Sequence, residues 1–431
     1  MRKILAPSLA LSLLAATATA QIRLPGVSLP ALPLQAVPQI VNPLPSSLDQ
    51  LSELRHRLLE DLVRKNHRVI DTDPDGQPIV RDEILCLAGG AATAVAQRLN
   101  FAVLRESISD ALNLPIVVLR APAGMGTKRA LRMLRAADAE GTCDFNHIYS
   151  GAGAVEASPP AGAAGTPGAF GVAPANPPLR LRVGLIDSGI DREHPAFQRA
   201  HIVAFGCGGR AIPAAHGTAV ASLLVGQAEP FHGVQPEAAL YAADVFCGQP
   251  TGGAVDALTG AFAWMAEQRI AVINVSLVGP QNLLLERVIA ALIARGVLIV
   301  AAVGNDGPAA PPLYPASYPH VVGVTGVDAH RHVLIEAARG PQVMFASPGA
   351  DLAAAAGHGY SSVRGTSFAA PFVAGLLAAS VAGPSTGDAA AALAALASSA
   401  IDLGAAGRDL TYGYGLVGAE LPVDPALLAH P

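Results

Sequence analysis

Three polar residues each stand where an apolar segment begins or ends, and together they have the makings of a nucleophilic site. Asp187 closes the apolar run 181–186 and is followed by the turn residues Ser188 and Gly189. His216 opens the apolar stretch 219–225, and Ser367 starts another within Gly365-Thr-Ser-Phe-Ala-Ala-Pro371. A serine hydroxyl is a poor nucleophile at neutral pH and needs a base within hydrogen-bond reach. Histidine titrates near neutrality, so it can take that proton and later return it. A buried carboxylate then fixes the imidazole tautomer and stabilises the imidazolium. Taken singly, each residue reads as a strand-end turn or a helix N-terminal position. Their joint occurrence in the order Asp, His, Ser within one domain is what points to chemistry.

Residues with such roles need a rigid frame. From residue 181 onward, strands such as 181–186, 271–275 and 297–303 alternate with helical patterns. That alternation predicts an α/β fold of three layers, a mostly parallel central sheet covered on both faces. Open sheets of this kind place their ligand sites at the ends of strands, where the three residues fall.

Upstream, leucines at 48, 51, 54, 58 and 62 predict an amphipathic helix over 48–65. Strands at 83–88, 101–106, 114–120 and 143–149 and helices at 91–99 and 127–137 give the order β-α-β-β-α-β, that of a ferredoxin-like α+β unit. Its first and last strands are neighbours, so a Cys86–Cys143 disulfide is expected. The stretch 150–179 is rich in Gly, Ala and Pro and reads as a linker.

The 431 residues are 51% hydrophobic and 14% charged with a formal net charge of −5, which excludes a disordered chain and gives no sign of a nucleic-acid partner. The apolar stretches 288–303 and 368–383 fall short of the roughly 20 residues that cross a bilayer, so no membrane anchor is expected. Arg2 and Lys3, the apolar run 4–16 and Ala18-Thr-Ala20 read as a signal peptide cleaved after Ala20, hence a secreted protein, periplasmic or extracellular. Four cysteines suit that compartment. The expected organisation is a signal peptide at 1–20, a Pro-rich leader and helix at 21–82, the ferredoxin-like unit at 83–149, the linker at 150–179 and the α/β domain at 180–431.

The segments Asp187-Ser-Gly-Ile-Asp191, His216-Gly-Thr218 and Gly365-Thr-Ser-Phe-Ala-Ala-Pro371 resemble the three signature motifs of the subtilisin-like serine peptidases. A fourth, 301–307, agrees. The resemblance covers about residues 180–420 and implies that Asn305 donates to the oxyanion, with Thr366 a further contact beside the Ser367 N–H. Residues 272–280 resemble the family's substrate-binding strand, which assigns Ser276, Leu277 and Val278, with Ala302 and Gly304, to substrate binding. The same resemblance makes the ferredoxin-like unit an inhibitory propeptide of a self-processing precursor. It implies protein or peptide substrates, no required cofactor and a monomer. An acid peptidase of the sedolisin type would carry Glu at His216, and no Gly-x-Ser-x-Gly elbow of an α/β-hydrolase is present.

Departures from the family pattern carry their own expectations. Val278 stands where many members have glycine, which predicts a narrowed pocket and small residues before the cut. Against this, 144–149 resembles the end of a subtilisin propeptide, which would put Tyr149 at the cut. Ala196 replaces a frequent calcium ligand and the loop 226–233 is short, so the tight calcium site is expected to be absent and only weaker ones remain open. Cys207 and Cys247 lie past the ends of strands adjacent in the implied sheet, and a disulfide there is expected. Phe368 replaces an oxidation-sensitive Met, which predicts tolerance to peroxide.

Overall fold

A computed structural model describes residues 48–88, 90–107, 111–138, 141–152, 154–155 and 181–428. The expected signal peptide, most of the leader and the body of the linker lie outside these residues.

The N-terminal part runs α1 (Leu48–Lys65), β1 (Ile70–Thr72), β2 (Pro78–Leu87), α2 (Gly90–Arg98), β3 (Ala102–Ser107), β4 (Ile116–Arg120), α3 (Thr127–Ala137) and β5 (Cys143–His147). Its antiparallel sheet has the order β5–β2–β4–β3, with β1 added to β2. This is the split βαβ arrangement. Cys86 and Cys143 are register partners and their sulfurs are bonded. The unit begins earlier than residue 83. The carboxylate of Asp73 accepts the N–H groups of Asp75 and Gln77, closing a turn that folds β1 back on β2.

Two short strands follow, β6 (Ser150–Gly151) and β7 (Ala154–Val155), where the composition reads as linker. Main-chain pairing makes no demand on side chains, so small residues do not prevent it. β6 pairs with Leu277 and Val278, and β7 with Val363 and Arg364.

The C-terminal part comprises β8 (Arg182–Asp187), β9 (His201–Phe205), α4 (Ala215–Val225), β10 (Gln227–Ala228), β11 (Phe231–His232), β12 (Ala239–Asp244), α5 (Val255–Glu267), β13 (Val272–Val275) and β14 (Leu277–Val278). It continues with α6 (Leu283–Ile293), β15 (Leu298–Ala302), β16 (Val322–Val327), β17 (Val343–Pro348), β18 (Leu352–Ala356), β19 (Gly359–Arg364), α7 (Thr366–Ala378) and α8 (Thr386–Ser399). Seven strands in the order β17–β16–β15–β13–β8–β12–β9 form the central sheet, every pairing parallel. Strand side chains alternate between faces. Val183 and Leu185 join α4 and α7 in one apolar core, while Ile186 joins α5 and α6 in the other. Three layers result.

The chain leaves β8 towards β12 and β9, then crosses to β13 on the other side. The crevice at the carboxyl ends of β8 and β13 is therefore a topological switch point, where ligands bind in open α/β sheets. Asp187 ends β8, Ser276 follows β13 and Asn305 follows β15. The Cys207 and Cys247 sulfurs are bonded just beyond β9 and β12, which are neighbouring strands.

Candidate active site

Asp187 is fully buried and His216 Nδ1 lies 2.8 Å from its Oδ1. The Ser188 N–H and hydroxyl also donate to Oδ1, and the Gly217 N–H donates to the Ser188 hydroxyl. That chain ties the start of α4 to the end of β8, which fixes the imidazole. It depends on close approach, since a Cβ on Gly217 would stand 2.1 Å from the Ser188 carbonyl oxygen. Asp244, beside Asp187 in register, is held above the usual carboxylate range by burial, partly offset by the Cys247 and Phe246 N–H groups.

Ser367 lies in the first turn of α7, after Gly365 at φ +136°. Pro371 has no N–H to give the Ser367 carbonyl one turn earlier. The Ser276 hydroxyl takes that acceptor at 2.9 Å, and Asn274 Nδ2 donates to the same hydroxyl at 2.9 Å. The apparent helix breaker thus frees a carbonyl that joins the serine's helix to the segment after β13. The Ser367 hydroxyl donates to the Ser276 carbonyl at 3.0 Å, and His216 Nε2 is buried with no hydrogen-bond partner among the described residues.

The crevice is filled by the chain itself. β6 lies antiparallel to β14, pairing Gly151 with Leu277 and Ser150 with Val278. The Ala152 N–H donates to the Ser276 carbonyl at 3.3 Å and the Tyr149 N–H to the Gly253 carbonyl at 2.9 Å. The Ala152 carbonyl oxygen accepts the Ser367 N–H at 3.1 Å and a hydrogen bond from Asn305 Nδ2. One peptide carbonyl therefore sits beside the serine with two donors on its oxygen.

Asn305 is oriented by its Oδ1, which accepts the Thr366 N–H at 3.1 Å, and the Thr366 hydroxyl accepts the Gly304 N–H at 3.2 Å. Thr366 thus makes no hydrogen bond to the Ala152 oxygen. It stands behind Asn305 and orients it. Ala152, Val278, Ala302 and Leu313 form one small apolar cluster. Val278 closes the space that a glycine would leave open, and a methyl group fills what remains. The residue whose carbonyl meets Ser367 is Ala152, a position that Tyr149 does not occupy. It lies three residues upstream in a pocket of its own, with no exposed surface. Sequence reasoning named Tyr149 as the end of the propeptide-like segment and missed Gly151 and Ala152. The available signal was the agreement between Val278 and a small residue just after Tyr149.

The N-terminal unit closes over this arrangement. The Asp144 carboxylate accepts the Leu283 N–H at the start of α6, where a negative charge meets the helix dipole. Asn146 exchanges hydrogen bonds with Asp256 in the first turn of α5, and Arg105 bridges Glu83 and Asp256 at 2.7 Å each. Leu85, Ile116 and Val118 complete the apolar core around α5 and α6. From α1, Arg55 pairs at 2.9 Å with Asp306, the neighbour of Asn305. Burial raises the Asp306 pKa and the Arg55 charge draws it back only in part.

A buried acid, an imidazole and a helix-start serine at the switch point of a parallel α/β sheet define the class of serine peptidases. Within it, the chain belongs to the Subtilase family, whose profile matches residues 180–415. The minor extracellular protease Epr of Bacillus subtilis is 30% identical over 206 residues, which is 47% of this chain and 32% of that protein. Subtilisin DY of Bacillus licheniformis is 30% identical over 249 residues, 56% of this chain and 89% of that one. The chain thus spans about a third of one relative and most of the other. The crystal structure of fervidolysin from Fervidobacterium pennivorans shares the fold, with a TM-score of 0.64 and 19% identity over 84% of this chain and 63% of that one.

Proposed function

We propose that the chain is a secreted serine endopeptidase made as a self-processing precursor, and that its first substrate is its own Ala152–Gly153 bond. The Ala152 carbonyl, accepting hydrogen bonds from both the Ser367 N–H and Asn305, carries this reading. Ser367 turns its hydroxyl from the Ser276 carbonyl to His216 Nε2, loses its proton there and attacks the Ala152 carbon. Negative charge gathers on an oxygen already facing two donors, an arrangement that requires no reorganisation as the charge develops. Asp187 holds the imidazolium. His216 then protonates the departing Gly153 nitrogen, leaving an acyl-enzyme at Ser367. Water activated by the same imidazole hydrolyses it.

In this reading residues 48–152 belong to the inhibitory prosegment, its tail held in the cleft by main-chain pairing, its body by α5 and α6 and its helix α1 by Asp306. Substrates are proteins or peptides, and the working form is a monomer. Secretion rests on the signal-like N-terminus; no helix among the described residues is long and apolar enough to cross a membrane. No cofactor enters the reaction. Where the family often carries a calcium ligand, this chain has Ala196, whose own side chain offers no oxygen.

The test is to incubate the full chain and its Ser367→Ala variant near neutral pH and sequence the fragments. A new N-terminus at Gly153, absent from the variant, is expected. Identical fragments from both proteins, or none from either, would defeat the proposal.

A further inference from the structure

The loop that carries Asn305 has little to hold its own shape. It leaves β15 and turns through Gly304 and Gly307, at φ +100° and +99°, and glycines leave a chain free to take other paths. Its fixed points come from the segment 336–338. The Gly307 N–H donates to the Glu336 carbonyl at 2.8 Å, and the Ala338 N–H to the Gly304 carbonyl at 3.0 Å. Both ends of 304–307 are thereby fastened. Glu336 is itself only 2% exposed, so its charge needs a partner. Arg364 Nε donates to one carboxylate oxygen at 2.8 Å, and a terminal nitrogen of the same guanidinium to the other at 3.0 Å. Arg364 ends β19, three residues before Ser367. One residue thus grips the Asn305 loop through its carbonyl and the approach to the nucleophile through its carboxylate.

We propose that Glu336 is a positioning residue: with Arg364 it sets the Asn305 amide against the Ser367 N–H, the two donors on the Ala152 oxygen. The inference rests on the peptidase reading and deepens it by naming the joint between the two halves of the oxyanion site. A buried ion pair supplies little stability that apolar packing would not. What a two-pronged guanidinium–carboxylate contact does supply is direction. A second charged contact on the loop, Arg55 with Asp306, comes from α1 and departs with the prosegment, whereas Glu336 and Arg364 both stay in the α/β domain. Glu336→Gln keeps the shape but turns one acceptor into a donor, so only one prong can hold. The amide of Asn305 then drifts, and misplacing such a group by about 1 Å costs on the order of a hundredfold.

The experiment times self-cleavage of four full-length chains by gel: unmutated, Glu336→Gln, Asn305→Ala and the double variant. Glu336→Gln alone is expected to slow the cut by roughly ten- to a hundredfold, no more than removing the donor outright. Added to Asn305→Ala, it should slow the cut by less than about twofold, because the group it positions is gone. An equal loss in both backgrounds, the mark of a merely structural role, would overturn the proposal, as would no loss in the first. Arg364→Lys keeps a charge without the fork and runs through the same cycle should Glu336→Gln fail to fold. It should show the same dependence on Asn305, and independence would be equally fatal. If the unmutated chain is never cut, the peptidase reading falls and this inference with it.

Discussion

Gly151 lies against the imidazole of His216, where a Cβ would stand 3.2 Å from Nε2 and 3.3 Å from Cδ2. The residue before the Ala152 carbonyl therefore sets how freely the base can sit. Gly151→Ala needs the ring to give by a few tenths of an ångström, while Gly151→Val displaces it. Displacing a catalytic group by about 1 Å costs on the order of a hundredfold. Self-cleavage of the valine variant, timed by gel, is expected to slow by that order and that of the alanine variant much less. Equal rates for glycine and valine would show that the imidazole is not so confined.

Val278 and Ala152 should behave as a matched pair. Ala152→Tyr forces a ring into a space closed by Val278, and overpacking of this kind costs about 1–3 kcal/mol. Self-cleavage should slow by roughly ten- to a hundredfold. Adding Val278→Gly should restore much of the rate. Failure of the second substitution to rescue the first would place the restriction elsewhere.

Asn305→Ala removes one donor from the developing oxyanion, and roughly a hundred- to a thousandfold loss in kcat is expected. Thr366→Val keeps the main-chain contact that orients Asn305 and deletes only the acceptor for the Gly304 N–H. About a fivefold loss should follow, the scale of one hydrogen bond. A Thr366→Val loss as large as that of Asn305→Ala would return Thr366 to direct contact.

Arg55 and Asp306 join α1 to the loop that carries Asn305, with side chains 19% and 15% exposed. Removing Arg55 leaves a largely buried carboxylate unpaired, which costs several kcal/mol in a fully buried pair and less here. Arg55→Ala should hasten release of the severed prosegment by roughly tenfold. Raising the salt should narrow the difference between the two proteins. An unchanged lag before activity appears would make the pair irrelevant to release.

Much of this was legible in the chain. Apolar runs ending on Asp187, His216 and Ser367 specify both the elements and the chemistry, because the polar residue must stop where the core does. Helix α1 followed from leucine spacing, and the Cys86–Cys143 bond from strand order. What escaped was carried by the main chain. β6 pairs through N–H and C=O groups that Ser150, Gly151 and Ala152 share with any linker, so composition is silent about it. Tyr149 misled for a related reason. Alternation sends its ring away from the serine, and that register is decided by hydrogen bonds to Leu277 and Val278 rather than by the tyrosine itself.

The bond between Cys86 and Cys143 ties β2 to β5, and β5 runs directly towards Tyr149 and Ala152. On the proposed reading, scission of Ala152–Gly153 would leave one intact ligand with its fresh carboxylate still in the cleft. Two clocks follow, a fast unimolecular one for the cut and a slower one for vacancy. The first vacant molecules can digest ligands still seated on their neighbours. Activity should then rise sigmoidally with time, with a delay that shortens as protein concentration increases.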